Sequence, residues 1–305
     1  MINLRHFISI LDINSEDIKN LIDLSFYLKM KRRFGRNEKT LKDKNLVLIF
    51  EKPSTRTRLA FDFAAQELGM NTSVIDKTSS QLGRGEPLID TFQVIERYAD
   101  AVGIRTFKQK PLEEVSKLIS IPIINALTDE EHPCQTIADL LTIKEKKGKK
   151  NIKVAYLGDG NNVCNSLLVG CASLGIDIFV ATPEGYEPNK IYVDEAKRRA
   201  EKNNSKVVIT NDPIEAVKDA DVIYTDVWVS MGDKEKDINK FKPYQVNKNL
   251  VKHAKKDFIF MHCLPVHRGE EVTEDILESY HSVVFDQAEN RLHTHKAILL
   301  YVFEL

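Results

Sequence analysis

Short apolar runs of strand length alternate along the chain with stretches whose apolar residues recur at helical spacing. The run LVLIF at 46–50 is typical of a buried strand, and the stretch 57–68 that follows it places its apolar residues on one helical face. This alternation predicts parallel sheets covered by helices on both faces, which is an α/β fold. The predicted strands are 46–50, 72–76, 101–105, 121–125, 152–157, 176–181, 206–209, 221–225, 258–261 and 282–285. The clearest predicted helices are 57–68, 88–98, 133–147, 163–174, 190–202 and 287–303.

Polar side chains follow nearly every predicted strand at its carboxyl end, which is where open α/β sheets bind ligands. Solubility alone does not require so many polar groups at one edge, so a ligand site built from several strand ends is predicted. The residues in these positions include Ser54, Thr55, Arg56, Thr57, Arg105, His132, Gln135, Asn165, Asp226, Cys263 and Arg291.

The stretch EKPSTRTRL at 51–59 joins a predicted strand to a predicted helix. Hydroxyl groups, a guanidinium and the backbone N–H groups of a first helical turn together form a good phosphate site. The alternative is an ordinary helix cap by Ser54 or Thr55 with arginines facing solvent. The stretch is not a P-loop, because it lacks the glycine-rich run and the Gly-Lys-Ser/Thr ending. For Arg58, a structural ion pair and a ligand contact are both open.

The motif GDGNNV at 158–163 also lies between a predicted strand and a predicted helix, so it could begin a dinucleotide-binding fingerprint. Val163 stands where the third glycine belongs, and two asparagines would crowd a pyrophosphate. A nicotinamide-dependent oxidoreductase is therefore an alternative with an incomplete motif.

The pairs HPC at 132–134 and HC at 262–263 raise the question of a zinc site. Neither pair has the ligand spacing of structural zinc sites, so no metal is expected. Cys263 has two open interpretations, a buried inert thiol or a thiol that forms hydrogen bonds or handles a proton at the edge of the sheet. His293 and His295 are two residues apart on a predicted helix and do not share a face, so surface or packing roles are expected for them.

Composition narrows the class of protein further. The 305 residues suffice for two domains, and the net charge of −1 gives no reason to expect nucleic acid or membrane as a partner. No apolar run approaches the roughly 20 residues of a membrane span, and no signal-peptide pattern is present at the N-terminus. The four scattered cysteines are typical of reduced thiols, so a cytoplasmic protein is expected. The segment KEKKGKK at 144–150 is the best domain boundary by local pattern.

Taken together, the motifs resemble the aspartate/ornithine carbamoyltransferase family, and within it the ornithine-specific members. The matching segments occur in the family's order and cover essentially the whole chain. DVWVSMG and HCLP are the segments that separate the ornithine enzymes from the aspartate enzymes, which have HPLP in the second place. The matching segments are STRTR (54–58), Gln81, Arg105, HPCQ (132–135), NNVCNS (161–166), DVWVSMG (226–232), HCLP (262–265) and Arg291.

The resemblance implies two doubly wound α/β domains, each with a central parallel sheet flanked by helices, joined by interdomain helices. A carbamoyl phosphate domain would cover 1–134 together with a C-terminal helix at about 290–305, and an ornithine domain would cover 135–290. The implied reaction transfers the carbamoyl group of carbamoyl phosphate to the δ-amine of L-ornithine, giving citrulline and phosphate. It implies no cofactor, a homotrimer or a multiple of trimers, and a cis peptide between Leu264 and Pro265.

The resemblance also implies a role for each site residue. The implied carbamoyl phosphate residues are Ser54, Thr55, Arg56, Thr57, Gln81 from a neighbouring subunit, Arg105, His132, Gln135, Leu264 through its carbonyl, and Arg291. The implied ornithine residues are Asn165, Asp226, Ser230, Met231 and Cys263, and the implied catalytic residues are Arg56, Arg105, His132, Asp226 and Cys263. Another acceptor, such as putrescine, an acylated ornithine or aspartate, remains the alternative.

Overall fold

The computed structural model describes residues 5–77, 85–148, 151–229 and 236–305 of the chain. The backbone forms two compact units. The first unit consists of Met1–Ala138 and Asn290–Leu305, and the second unit consists of Asp139–Glu289. Within the described ranges, no helix combines the length and the apolar composition that a membrane span requires.

The first unit is built on a four-stranded parallel sheet with the strand order β2-β1-β3-β4. Burial of the last five residues of β1 explains its continuous apolar sequence, since a central parallel strand is covered on both faces. The strands are β1 Asn45–Phe50, β2 Asn71–Asp76, β3 Ala101–Arg105 and β4 Ile123–Leu127. The helices that begin in this unit are α1 Ser15–Arg33, α2 Arg56–Leu68, α3 Leu88–Ile95, α4 Gln109–Ser116 and α5 Pro133–Lys147.

The second unit is built on a five-stranded parallel sheet with the order β7-β6-β5-β8-β9. Its strands are β5 Lys153–Leu157, β6 Asp177–Ala181, β7 Val207–Thr210, β8 Val222–Thr225 and β9 Ile259–Met261. The helices that begin in it are α6 Asn162–Ser173, α7 Lys190–Asn203, α8 Pro213–Val217, α9 Ile238–Phe241, α10 Lys248–Val251, α11 Glu274–Leu277 and α12 Val284–Val302. The unit boundaries fall within α5 and α12, so these two helices continue from one unit into the other.

The predicted α/β class and two parallel sheets are confirmed, and nine of the predicted strands exist within two residues of their predicted bounds. The tenth predicted strand, 282–285, is wrong. Ser282 forms only an isolated bridge with Phe260, and α12 begins at Val284. A run of four residues cannot be told from the first turn of a helix by its pattern, and Phe285, the last residue of the predicted strand, is 78% exposed.

Each sheet contains one topological switch point, where the chain leaves the first strand toward one side and later returns on the other side. In the first unit the switch point lies between β1 and β3, and in the second it lies between β5 and β8. Ligands of doubly wound folds bind at the carboxyl ends of the strands beside such a point. The fold therefore provides one candidate position in each unit.

Candidate active site

In the first unit, the turn after β1 leads directly into the first turn of α2 at Arg56. Thr55 is the residue before the helix, but its side chain makes no capping hydrogen bond. The capping interpretation of this residue is therefore wrong. Arg56 and Thr55 are exposed and Ser54 is half-buried, whereas Thr57 is buried. An anion at this helix end would meet both the N-terminal partial charge of the helix and a guanidinium.

A cavity of about 400 Å³ opens beside this turn, and its lining carries several cationic side chains. Arg58 is one of them, and it pairs with Asp76 at 3.6 Å while both side chains remain 48% exposed. Arg58 thus has an ion-pair partner, which supports the structural interpretation of its side chain. The lining consists of Phe50, Glu51, Lys52, Pro53, Ser54, Thr55, Arg58, Leu59, Asp76 and Lys77.

Arg291 joins three helices of the first unit through its guanidinium. Its Nη1 donates to Gln135 Oε1 at 2.6 Å, and its Nη2 donates to Thr57 Oγ1 at 2.9 Å. All three side chains are buried, which makes the planar fork of the guanidinium effective as a positioning group. Three predicted residues that lie up to 234 positions apart in the chain therefore meet at one point.

His132 directly precedes α5, and its side chain is buried. Burial lowers the pKa of His132 well below its usual range, and the nearby charges of Arg291 and Arg105 lower it further. The imidazole is consequently neutral at physiological pH. A neutral imidazole can donate one hydrogen bond to a carbonyl oxygen without carrying a full positive charge.

Arg105 is the last residue of β3, at the carboxyl edge beside the switch point. The register between β3 and β4 shifts between Ile104 and Arg105, which is a local irregularity of the kind that redirects a side chain. Its carbonyl accepts the N–H of Glu51 at 2.9 Å, so the ends of β1 and β3 are tied together. Arg105 therefore lies beside the turn that leads into α2.

In the second unit, Asp226 directly follows β8 and Cys263 follows β9 by two positions. The Cys263 thiol donates to Asp226 Oδ1 at 3.0 Å, and the Asn161 amide donates to Asp226 Oδ2 at 2.8 Å. The carboxylate is buried and the thiol is half-buried. The structure thus supports the second interpretation of Cys263, a thiol in contact with another polar group at the edge of the sheet.

Leu264 follows Cys263 and adopts a left-handed backbone conformation with φ of 63°, and its peptide bond to Pro265 is cis as expected. Its N–H donates to His262 Nδ1 at 2.8 Å, so the other ring nitrogen, Nε2, carries the proton and faces Glu271 Oε1 at 3.1 Å. His262 and Glu271 are completely buried. The Leu264 N–H, in a backbone conformation that a leucine rarely adopts, is thus bonded by a buried side chain.

Asn165 lies in the first turn of α6. Its Oδ1 accepts the N–H of Asn189 at 3.0 Å, next to the start of α7. The side chain is buried and ties α6 to the loop before α7. The structure therefore shows a structural contact for Asn165, and its role toward ornithine stays a prediction.

The glycines of GDGNNV have structural explanations. Gly158 has a φ of +115°, and a Cβ on Gly160 would lie 2.2 Å from the backbone nitrogen of Pro188. The first glycine is required by its conformation and the second by the close approach of a neighbouring loop. No pyrophosphate is needed to explain either residue.

Two groups of described residues have the side chains that metals prefer. Asp226, His262 and Cys263 form one group, with ligand atoms within 4.8 Å of one another, but both ring nitrogens of His262 are engaged as described above. The other group is His267, Glu270 and Glu271. Cys134, from the HPC motif, is buried with its pKa raised to about 12 and belongs to neither group.

Three predicted residues, Gln81, Ser230 and Met231, lie outside the described residues. Conversely, sequence reasoning assigned no separate role to Asn161, His262 or Glu271. For Asn161 a signal exists, since an asparagine between a strand and a helix is a typical N-cap. For Glu271 none exists, because its contact with His262 depends on the fold of an irregular loop.

Comparison with known proteins matches the chain to two family models in succession. Residues 5–145 match the carbamoyl-P binding domain of aspartate/ornithine carbamoyltransferase, and residues 150–302 match the Asp/Orn binding domain. The matches together span nearly the whole chain.

Individual relatives and solved structures agree with the family models. The chain is 53% identical to the catabolic ornithine carbamoyltransferase of Thermoplasma volcanium, covering 97% of both chains. It is 49% identical to the ornithine carbamoyltransferase of Methanocaldococcus jannaschii, covering 98% of this chain and 99% of the relative. The structure of the ornithine carbamoyltransferase from Pyrococcus furiosus superimposes with a TM-score of 0.94 at 47% identity, covering 97% of this chain and 96% of that one. The chain belongs to the aspartate/ornithine carbamoyltransferase family.

Proposed function

We propose that this protein transfers the carbamoyl group of carbamoyl phosphate to the δ-amine of L-ornithine, giving L-citrulline and phosphate. The observation that carries the acceptor assignment is the contact of 3.0 Å between the Cys263 thiol and the Asp226 carboxylate at the carboxyl edge of the second sheet. A carboxylate and a thiol are suited to hold an amine and to take up its proton, whereas an acidic acceptor would be repelled there. The relatives compared above carry the same activity in their names.

The phosphate of carbamoyl phosphate would be bound by Ser54, Thr55, Arg56 and Thr57 at the start of α2. A dianion gains from the helix N-terminus, from the hydroxyl groups and from the exposed Arg56 guanidinium. Arg105, at the end of the adjacent strand, would be shared between the phosphate and the carbonyl oxygen. These contacts hold the leaving group while negative charge moves onto it.

The carbonyl oxygen gains negative charge as the amine attacks, and it would be stabilised by His132, Arg105 and the Thr57 hydroxyl. The low pKa of His132 supports this role, because a neutral imidazole remains a donor across the physiological range. Arg291 holds Gln135 and Thr57 in place and would add its own charge. Preorganised donors of this kind typically contribute about 3–4 kcal/mol each to transition-state stabilisation. The Gln135 side chain and the Leu264 carbonyl would accept hydrogen bonds from the carbamoyl NH2 group.

The nucleophile must be a neutral amine. A free alkylamine has a pKa of about 10.4, so its deprotonation at pH 7 costs roughly 4–5 kcal/mol. Asp226 and Cys263 would orient the δ-amine and accept its proton. Asn165, Ser230 and the backbone N–H of Met231 would hold the α-amino and α-carboxylate groups.

We also infer, from the family resemblance, a homotrimer in which Gln81 completes a neighbouring subunit's site. Light scattering of the purified protein tests this, with about three times the 34.8 kDa chain mass expected. A stable monomer with full activity would contradict it.

The function itself is tested by measuring citrulline from carbamoyl phosphate and L-ornithine, beside assays in which putrescine, N-acetylornithine or aspartate replaces ornithine. We expect product with ornithine only. A greater kcat/KM for one of the other acceptors would identify that acceptor, rather than ornithine, as the substrate. If no carbamoyl transfer to ornithine or to any other acceptor is detected, the proposed activity is refuted.

A further inference from the structure

The side-chain amide of Asn161 has its orientation determined by three donors. Its Oδ1 accepts the Tyr156 hydroxyl at 3.1 Å, the N–H of Val163 at 3.0 Å and the N–H of Cys164 at 3.2 Å. An NH2 group in that position would face the N–H groups of Val163 and Cys164 and could bond neither of them. The oxygen and nitrogen of this amide are therefore assigned by their partners, and the nitrogen must point the other way.

The nitrogen of this amide donates to Asp226 Oδ2 at 2.8 Å. The other oxygen of the same carboxylate accepts the Cys263 thiol at 3.0 Å. Asp226 is thus held by one donor on each oxygen, one from the start of α6 and one from the loop after β9. A buried carboxylate with both oxygens bonded has one rotational setting, since turning it would break both contacts.

We propose that Asn161 is a positioning residue for the acceptor amine: it fixes the Asp226 carboxylate so that Oδ1 faces Cys263 and the δ-amine. This inference rests on the proposed function. Asn161 need not touch either substrate, because it acts through Asp226. Asn161 also caps α6, and this cap holds its amide in the one orientation in which the nitrogen can donate to Asp226.

The substitution Asn161→Asp separates these two tasks. Aspartate is also a good N-cap, so the acceptor for Val163, Cys164 and Tyr156 is retained. The donor to Asp226 is replaced by a carboxylate oxygen, which turns a hydrogen bond into a like-charge contact. We expect kcat/KM for L-ornithine to fall by about 100-fold, as is typical when a hydrogen bond to a charged group is lost and repulsion is added.

A variant that lost only structural integrity would be impaired toward ornithine and norvaline alike, so a loss confined to ornithine indicates a positioning role. L-norvaline has the α-groups of ornithine and no δ-amine, so its inhibition constant should stay within about threefold of the wild-type value. The affinity for inorganic phosphate, measured by calorimetry, should also be unchanged. An equal loss for ornithine and norvaline would overturn the proposal in favour of general distortion, and wild-type kinetics with ornithine would overturn it outright.

Asn247→Asp is the matched control. Asn247 caps α10 by accepting the N–H groups of Asn249 and Leu250, and its Nδ2 donates to a neutral amide, that of Gln245. The same chemical change there should leave the ornithine kinetics unchanged.

Tyr156→Phe is the second test if Asn161→Asp fails to fold. It removes one of the three donors to Oδ1 while keeping the ring that stacks on Tyr224. A loss of about two- to fivefold in kcat/KM for ornithine with unchanged norvaline inhibition is expected, and no change would count against the proposal. Absence of citrulline with the wild-type protein would refute the proposed function and, with it, the role given to Asn161.

Discussion

At the scale of single residues, the chemistry of the first unit depends on how buried groups alter one another. His132 is neutral because it is buried and because Arg291 and Arg105 are close to it. Arg291 is oriented in turn by Gln135 and Thr57. Each side chain has a partner that fixes either its charge or its direction, and this is what preorganised catalysis requires.

Arg56→Ala should reduce kcat/KM for carbamoyl phosphate about 100- to 1,000-fold, which corresponds to a loss of several kcal/mol of transition-state stabilisation. The reason is the loss of the exposed guanidinium at the start of α2. Steady-state kinetics with varied carbamoyl phosphate measures the effect. Arg58→Ala is the matched control two positions away, where an exposed ion pair contributes at most about 1 kcal/mol to stability and the expected kinetic change is small. A near-normal kcat/KM for the Arg56 variant would rule out the phosphate site.

Cys263→Ala should leave carbamoyl phosphate affinity largely intact and reduce kcat/KM for ornithine at least about tenfold, because Asp226 loses one of its two donors. Calorimetry with carbamoyl phosphate and kinetics with ornithine separate the two effects. Cys171→Ala, which removes a fully buried thiol in α6, serves as the control. If only the affinity for carbamoyl phosphate falls, the role assigned to Cys263 is wrong.

At the scale of elements, strands and loops bring these residues to the sheet edges. Residues after β1 and β3 occupy the switch point of the first sheet, and residues after β5 and β8 occupy that of the second. The loop before α6 can approach the loop before α7 closely only because Gly160 has no side chain, and Gly160 N–H donates to Tyr186 O at 2.9 Å. The second glycine of GDGNNV is therefore a packing requirement.

Gly160→Ala should lower the free energy of unfolding by about 2–3 kcal/mol, because a Cβ would lie 2.2 Å from the Pro188 backbone and the loop must move. Urea denaturation measures the change. Gly185→Ala is the control: its φ of +87° costs about 1 kcal/mol, and no atom lies within 4 Å of the added Cβ. Equal losses for the two variants would show that the close approach is not the cause.

At the scale of the whole molecule, burial of several histidines links stability to pH. Burial lowers the pKa of His132 and His295 well below the usual range and that of His293 to about 3, with nearby cationic side chains contributing in each case. His293 and His295 lie in α12, where His295 stacks on Phe61. The packing interpretation of these two residues is thus confirmed.

The free energy of unfolding should fall as the pH falls below about 6.5. There the unfolded chain takes up protons on these three histidines and the folded chain does not, so acid favours unfolding. Each contributes at most about 1.4 kcal/mol per pH unit, and the three together about 3 kcal/mol between pH 6.5 and 5.5. Urea titrations at both pH values measure this.

His293→Asn should reduce that pH dependence by about one third, since one of the three buried groups is removed. His267→Asn, at an exposed position in the second unit, should leave it unchanged. An identical pH dependence in the His293 variant and the wild type would contradict the linkage.

Much of the fold could be predicted because its signals are local. Apolar runs bounded by polar residues mark nine of the strands, and helical spacing marks the helices that follow them. One predicted strand was wrong, and several helices, among them α1 and α4, were not predicted. The run at 282–285 is too short to distinguish strand from helix, and α1 was not predicted, although Asn14 caps it and acidic residues follow in its first turn. The candidate residues could be found because the carboxyl ends of parallel strands all lie at the same edge of a sheet, and these residues follow the strands directly.

The sequence by itself determined the α/β class, the two sheets, the family and the identity of most candidate groups, since these depend on periodicity and on motifs of neighbouring residues. Only the tertiary structure decided which groups meet and in what state. The neutral form of His132, the pairing of Arg291 with Thr57, the partner of Arg58 and the two donors on Asp226 all depend on burial and on contacts between distant segments. Solvation and geometry of this kind are properties of the packed chain, and no stretch of sequence contains them.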